Sequence, residues 1–241
     1  MIELEQIKKI ISESDNIVFF GGAGVSTASG IPDFRGSGGL YTQDYDDVLP
    51  EERLHISHLL SCPEDFYTYY RENMLYLDAE PNRAHYILAE QEKKGKIKAV
   101  ITQNIDGLHQ MAGSLRVVEL HGSTHKNYCM SCGKEYPLDY ILEATCVPFC
   151  EHCGGMVRPD VVLYGEALNA SKLYYAENLI AEADVLIVAG SSLTVNPAAS
   201  LVECFQGKHL IIINYDSTPY DDMAEFVVND DLVKVLRYIF E

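Results

Sequence analysis

Positive charge is scarce in this chain of 241 residues: 18 Lys and Arg face 36 Asp and Glu, a net of −18 at pH 7 with His neutral. Phosphate backbones need basic surfaces, so nucleic acid is excluded as a general partner, whereas basic protein substrates suit the acidic field. Long apolar runs are missing too. No stretch approaches the roughly 18 uninterrupted apolar residues of a membrane span. Met1-Ile2-Glu3-Leu4-Glu5-Gln6 lacks the basic-then-apolar order of a secretory signal. A cytoplasmic protein away from membranes is expected, in reducing conditions where disulfides are rare. The odd count of seven Cys then needs another explanation. No internal repeat and no low-complexity tract occurs.

What is present is globular in kind, with 47% hydrophobic and 22% charged residues. The length suits one large domain, or one carrying a small insertion. Leu4, Ile7, Ile10 and Ile11 recur at helical spacing, and Asn16-Ile17-Val18-Phe19-Phe20 reads as a buried strand running into Gly21-Gly22-Ala23-Gly24. Residues 33–60 read as loop with short helices. Ser61-x-x-Glu64 is a capping-box pattern that predicts a helix to about Leu77, and Asn82 can cap another ending near Gly95. Strands follow at 97–101 and 117–120. Residues 123–160 break the pattern with Cys, Gly and Pro. It resumes with a strand at 161–163, a helix over 171–182 and a strand at 185–189. A helix capped by Asn196-Pro197 to about Phe205, a strand at 210–213 and a closing helix over 231–240 complete the chain. Continuous apolar strands alternating with helices predict an α/β fold with a parallel sheet covered on both faces.

Ligands of such sheets bind at the carboxyl ends of the strands. Six predicted ends carry small or hydrogen-bonding residues: Gly21-Gly22-Ala23-Gly24, Thr102-Gln103-Asn104-Ile105-Asp106, His121-Gly122, Tyr164-Gly165-Glu166, Gly190-Ser191-Ser192 and Asn214-Tyr215-Asp216. Six on one edge suggest a large, polar, extended ligand. Gly22-Ala23-Gly24 before Val25-Ser26-Thr27 has the small residues that let backbone N–H groups approach a pyrophosphate at a helix start; a tight turn without ligand is the alternative. Thr27 stands where the dinucleotide fingerprint has its third glycine, and no strand leads into Asp44, Asp46 and Asp47, so ordinary hydride transfer fits poorly. The loop instead carries Phe34-Arg35, a ring and a guanidinium suited to covering a cofactor ring and gripping a phosphate.

Cys129-x-x-Cys132 and Cys150-x-x-Cys153, separated by 17 residues, match paired zinc knuckles, with two redox dithiols as the alternative. Four thiolates close a tetrahedral site, so the metal is expected to be structural. Cys146 and His152 are possible competitors, but Cys150 and Cys153 repeat the geometry of the first pair and Gly154-Gly155 follows them. Cys62 and Cys204 lie in helical patterns and read as packing.

The glycine loop, Gln103-Asn104-Ile105-Asp106, His121-Gly122, the four Cys and Gly190-Ser191-Ser192, in that order, resemble the sirtuins, the NAD-dependent protein deacylases, over residues about 20–216. The resemblance implies a Rossmann-like NAD-binding domain (1–35, 81–122 and 161–241) and a smaller one built from a helical part (36–80) and a zinc-binding module (123–160). It implies NAD, one structural zinc and acetyl-lysine proteins as substrates. Ala23, Thr27, Phe34 and Arg35 resemble the first NAD contacts. Gln103, Asn104, Ile105 and Asp106 resemble the ribose and nicotinamide pocket, with Asp106 on the carboxamide. Ser191, Ser192 and Asn214 resemble contacts to phosphate and adenosine ribose, and Asp230 a backbone contact to adenine. Val162 and Tyr164-Gly165-Glu166 resemble the segment that pairs with the acyl-lysine peptide as a β-strand, with Tyr164 where the family usually has Phe. His121 takes the place of the general base, because an imidazole can relay a proton from a ribose hydroxyl near neutral pH; Asn104 would orient the ribose or a water. In the family's reaction the acyl oxygen attacks the NAD ribose carbon and displaces nicotinamide. The base then activates a ribose hydroxyl against the imidate, giving free lysine, nicotinamide and O-acyl-ADP-ribose.

Sirtuins that remove succinyl or malonyl groups carry Tyr-x-x-Arg in the helical part. Here Tyr67 fills the Tyr position and Tyr70 that of the Arg; Arg71 comes one residue late, about 100° around a helix and pointing away from the face of Tyr67. Those enzymes also tend to carry Thr where this chain has Asp33. Acetyl and other uncharged acyl groups are therefore expected. Rival readings are ADP-ribosyl transfer to a protein from the same NAD site, and a non-catalytic NAD or acyl-lysine binding module. His121 with Asn104 favours deacylation, since only that route needs a second activation. A zinc hydrolase is excluded because four Cys leave no open position on the metal. A monomer is expected.

Overall fold

A computed structural model describes residues 2–34, 36, 39–40 and 48–241. In chain order they form α1 (Ile2–Glu13), β1 (Ile17–Gly21), α2 (Pro50–Arg53), α3 (Ile56–Ser61), α4 (Pro63–Asn73), α5 (Arg83–Lys93), β2 (Ile97–Thr102), α6 (Leu108–Met111) and β3 (Val117–Glu119). Then come β4 (Gly122–Cys129), β5 (Glu135–Pro137), α7 (Leu138–Glu143), β6 (Val157–Val161), α8 (Ala170–Glu182), β7 (Val185–Ala189), β8 (His209–Ile213), β9 (Phe226–Val228) and α9 (Leu232–Phe240).

Six strands make one parallel sheet in the order β3-β2-β1-β7-β8-β9. A strand such as Val185-Leu186-Ile187-Val188-Ala189 has no polar face to offer water, so both sides must be covered. Side chains alternate between two cores. Phe19, Ile187 and Ile211 pack with Ile7 of α1, Leu88 of α5 and Leu236 of α9. Phe20, Leu186 and Ile212 pack with Ile180 of α8 and Val202 of a 3-10 turn over Ala199–Cys204. Polar caps start three of the covering helices: Asn82, Asn169 and Asp231 each accept a backbone N–H from the first turn of α5, α8 and α9.

The insertion at 123–160 brings a second, antiparallel sheet, β5-β4-β6. A third core joins it to the helices: Leu59, Phe66, Tyr67 and Tyr70 pack with Ile141, Val157 and Val161.

Local readings fail where tertiary context overrides them. The predicted strand at 161–163 is absent from the parallel sheet. Its chain instead forms β6, pairing with β4 from Val157 onward. Tyr164-Gly165-Glu166 therefore does not follow a parallel strand. The sixth parallel strand is β9, which the sequence reading did not include. The predicted helix from Ser61 to Leu77 is α4, and Ser61 is not its cap. Cys62 occupies that position without a side-chain bond, Pro63 starts the helix, and the Ser61 hydroxyl turns back to Ser57 O at 2.8 Å. No long helix follows the glycine loop; two 3-10 turns, Ala23–Val25 and Thr27–Ser29, take its place. Nor does Asn196-Pro197 cap a helix, since the turn there begins after Ala198.

Candidate active site and metal centre

The parallel register sets the strand ends in one row: Glu119, Thr102, Gly21, Ala189, Ile213 and Val228 are successive neighbours across the sheet. The next residue on each strand extends the ladder. Leu120 N donates to Thr102 O at 3.0 Å, Gln103 N to Gly21 O at 2.9 Å, Gly22 N to Ala189 O at 3.1 Å, Gly190 N to Ile213 O at 3.0 Å and Asn214 N to Val228 O at 3.1 Å. Each of these loops thus leaves the sheet from a clamped origin. β1 is the switch point, with β2 and β3 to one side and β7, β8 and β9 to the other, where crevices form.

The glycines of the first loop also have a packing role that the sequence did not show. A Cβ on Gly22 would stand 2.7 Å from Gly190 O, and one on Gly24 2.7 Å from Gly190 Cα. Gly24 N already donates to Gly190 O at 2.8 Å. Their smallness lets the β1 and β7 loops pack backbone against backbone.

Ser26 is a hub that sequence reasoning passed over, although its place as a hydroxyl two residues beyond Gly24 offered a signal. It donates to Asp106 Oδ2 at 2.6 Å and accepts from Asn104 Nδ2 at 3.0 Å. Asp106 Oδ1 accepts from Leu108 N at 2.9 Å, and Gln103 Nε2 donates to Ser191 Oγ at 3.0 Å. Thr124 N donates to Ile105 O at 3.0 Å, and His125 Nε2 to Asp106 O at 3.0 Å. Four elements therefore fix residues 103–108 before any ligand arrives. Ala23, Phe34, Asn104, Ile105 and Asp106 converge on one cavity of about 240 Å³, otherwise mostly apolar and, among the described residues, without Lys or Arg in its wall.

His121 follows Leu120 at the end of the β3 segment. Its Nδ1 lies 3.0 Å from Gln103 O. A carbonyl only accepts, so Nδ1 carries the hydrogen and Nε2 of the neutral ring keeps its lone pair. Burial pushes its pKa below the ordinary imidazole value, against the smaller opposing effect of the Gln103 carbonyl. The geometry makes a proton acceptor with a fixed tautomer.

The remaining expected contacts lie along the same row. Ser192 Oγ pairs with Thr194 Oγ1 at 2.9 Å, and Asn214 Nδ2 donates to Asp216 O at 2.8 Å. Thr27 is exposed, its hydroxyl on Gly24 O at 3.0 Å. The Asp230 carboxylate accepts from Lys234 Nζ at 2.7 Å. Arg35, Asp44, Asp46 and Asp47 lie outside the described residues.

The sulfurs of Cys129, Cys132, Cys150 and Cys153 lie within 4.8 Å of one another, the one such cluster of metal-binding groups among the described residues. The two loops mirror each other: Gly133 N donates to Cys129 O at 2.9 Å and Gly154 N to Cys150 O at 2.8 Å, with both glycines left-handed at φ +72° and +71°. Cys129 and Cys153 Sγ are 3.4 Å apart and Cys132 and Cys150 Sγ 3.7 Å. Zn–S bonds of about 2.3 Å in a tetrahedron put sulfurs about 3.8 Å apart, so the donor set fits zinc. Tyr136 Oη donates to Cys150 Sγ at 3.1 Å and pulls that thiol down to about 6. Cys146 and His152 are not in the cluster.

A family model described as the Sir2 family matches residues 22–197. The chain belongs to the Sir2 family. An NAD-dependent protein deacetylase of Clostridium acetobutylicum is 52% identical over 239 residues, 98% of each chain. A Sir2 in complex with a p53 peptide and NAD+ superposes with a TM-score of 0.87 at 42% identity, covering 98% of this chain and 96% of that one. Another, with a deacetylated p53 peptide and 3′-O-acetyl ADP ribose, reaches 0.90 at 41% identity, covering 98% and 97%.

In this Sir2 chain the Tyr-rich helix α4 is core. Tyr67 and Tyr70 are fully buried, Phe66 stacks on Tyr70 at 5.7 Å, and the Tyr67 hydroxyl donates to Val157 O. Arg71 does not point away from Tyr67: its guanidinium lies 5.4 Å from the centre of that ring. It sits one helical turn on and donates to Ile141 O and Cys146 O, tying α4 to the Cys module. The segment after β6 meets the imidazole loop directly, Val162 N donating to His121 O at 2.9 Å. Tyr164 pairs with the start of α3 through N to Leu54 O and O to Ile56 N, while Glu166 turns its carboxylate inward onto Arg158.

Proposed function

We infer that this chain is an NAD-dependent protein-lysine deacetylase that releases nicotinamide and transfers the acetyl group to ADP-ribose. One observation carries the reading. An imidazole with a fixed tautomer stands on Gln103 O, next to a loop whose Asn104 and Asp106 are locked through Ser26. NAD as cosubstrate supplies the electrophilic ribose carbon and the nicotinamide leaving group. Asp106 offers the carboxylate for the carboxamide, held by Ser26 and Leu108 N. Asn104 orients the ribose side, and His121 Nε2 accepts a proton from a ribose hydroxyl, Gln103 O steadying the charge that develops on the ring. Ala23, Thr27, Phe34, Arg35 and Ile105 flank the cosubstrate, and Ser191, Ser192, Asn214 and the Asp230 backbone serve its phosphate and adenosine end. Val162, Tyr164, Gly165 and Glu166 form the peptide segment. The domain limits read from the sequence go with these roles.

One zinc per chain, held by the four Cys, fits the sulfur spacing and is structural. Thiolates that must stay reduced accord with a cytoplasmic place of action, and a net charge of −18 accords with basic protein rather than nucleic-acid partners. All the residues named belong to one chain, so a monomer suffices.

Mass analysis of the products tests the reading. Nicotinamide, free lysine and acetyl-ADP-ribose should appear together and only with an acetyl-lysine peptide present; a heavier target protein instead would mean ADP-ribosyl transfer. Acetyl should be preferred to succinyl at least about tenfold in kcat/KM, because a carboxylate entering an apolar site loses hydration without a cation to replace it. Equal succinyl efficiency would overturn the acyl assignment. Tyr70→Arg is not a simple route to succinyl turnover, since it sets a new charge in the third core.

A further inference from the structure

Three residues of β4 have no counterpart on the strand beside it. Ser123 pairs with Asp160 of β6 and Asn127 with Pro159, so residues 124–126 bulge out opposite nothing. A bulge re-aims side chains that a regular strand would point elsewhere. All three of these turn to the parallel-sheet domain. Thr124 holds Ile105 O twice, from N at 3.0 Å and from Oγ1 at 3.1 Å. His125 Nε2 lies 3.0 Å from Asp106 O, and since a carbonyl only accepts, Nε2 carries the hydrogen. Lys126 Nζ reaches Glu119 Oε2 at 3.2 Å, but its ammonium is largely exposed and such a pair is worth little. The hold on the loop therefore falls to Thr124 and His125.

Both sides of this contact are shaped for it. Gly122, just before the bulge, has φ +83°, and a Cβ there would stand 1.8 Å from Asp160 O. Ser123 Oγ accepts from His125 N at 3.3 Å inside the bulge. On the receiving side Gly107 has φ +73°, and a Cβ there would come within 2.8 Å of the His125 ring. The imidazole thus fills the space that a side chain at 107 would need. The Asp106 carboxylate is held from its own domain by Ser26 Oγ and Leu108 N. The backbone that carries it is held from the Cys module, whose Cys129 ends the same strand β4. Thr124 and His125 also stand in the wall of the cavity that Asn104, Ile105 and Asp106 share.

We propose that Thr124 and His125 are positioning residues for the nicotinamide carboxamide: the bulge of β4 hangs the Ile105 and Asp106 carbonyls on the Cys module, so that the Asp106 carboxylate stands ready for the nicotinamide of NAD and for free nicotinamide when it returns. This rests on the reading of Asp106 as the carboxamide contact. Both residues act through the backbone of 105–107.

Inhibition by nicotinamide reads the pocket, and ADP-ribose, which lacks nicotinamide, supplies the control. In His125→Leu the inhibition constant of nicotinamide should rise about fivefold, the effect of one net hydrogen bond. It should rise further in the double variant Thr124→Val with His125→Leu. The Kd for NAD should rise with it, while the Kd for ADP-ribose and the zinc content stay as in the unmodified protein. His125→Gln, whose carboxamide N–H can replace Nε2–H, should keep the unmodified values. His125 is exposed, so none of its replacements opens a void in a core. Asp106→Asn in the same assay tests the underlying reading: an unchanged nicotinamide constant there would sink the carboxamide assignment. A loss in Asp106→Asn with none in His125→Leu or the double variant would overturn the positioning role alone. So would equal weakening of NAD and ADP-ribose, the mark of a general support of the fold, or a His125→Gln variant as impaired as His125→Leu.

Discussion

The role proposed for His121 rests on one hydrogen bond and on burial. Nδ1 on Gln103 O leaves Nε2 as the acceptor, and burial lowers the pKa, so the ring stays neutral at and somewhat below neutral pH. Only the neutral ring accepts a proton. The acid limb of kcat/KM, if set by this group, should therefore have its midpoint below about 6.5, the ordinary imidazole value. A pH profile with the midpoint at or above that value would remove His121 as the group responsible. His121→Ala should lower deacetylation by about 10²–10⁴-fold. Nicotinamide exchange from NAD, which needs no second activation, should be far less affected. Equal loss of both would reassign the residue to binding.

Among elements, the Cys module and α4 form one cooperative unit. The third core contains Cys129 and Cys150 as well as Phe66 and Tyr70, and Arg71 reaches from α4 to Ile141 O and Cys146 O. Metal affinity at a four-thiolate site is folding free energy. Cys129→Ser or Cys153→Ser should abolish binding of the proposed zinc and raise hydrogen exchange in α4 as well as in β4 to β6. The parallel sheet should keep its protection. Metal analysis of protein purified without chelator gives the stoichiometry, and exchange confined to the Cys loops would show that the core does not transmit the loss.

For the molecule as a whole, two buried imidazoles link stability to pH. His85 and His109 lie edge to face, 4.7 Å between ring centres, and both are essentially without solvent exposure. Burial pushes His85 down to about 4 and His109 well below its usual value. Below pH 6.5 the unfolded chain binds protons on these rings that the folded chain refuses. Protons then favour the unfolded state, and this contribution to stability is lost as pH falls from 6.5 toward 4. His109→Leu, a side chain that suits contact with Phe19, should flatten that part of the stability curve while changing stability at pH 8 by less than about 1.5 kcal/mol. Urea unfolding of both proteins at pH 8, 6 and 5 measures the difference, in which the many carboxylates cancel. Parallel curves would show that the rings do not carry the slope.

The sequence by itself determined what is local or repeated. Apolar runs of five without a polar face demanded a covered parallel sheet, Asn82 marked the start of α5, and two Cys-x-x-Cys pairs with their glycines announced the four-Cys cluster. The tertiary structure decided what depends on contacts between distant segments. Val161 belongs to a strand of the small sheet because β4 is there to pair with it. Gly22 and Gly24 pack against Gly190, which no spacing within one loop reveals. Ser26 bonds a residue 80 positions away, and the Nδ1–H of His121 is set by Gln103 O, 18 positions earlier. Periodicity and capping act within a turn or two of chain, whereas hydrogen-bond geometry and close packing require the sheet register that brings those loops together.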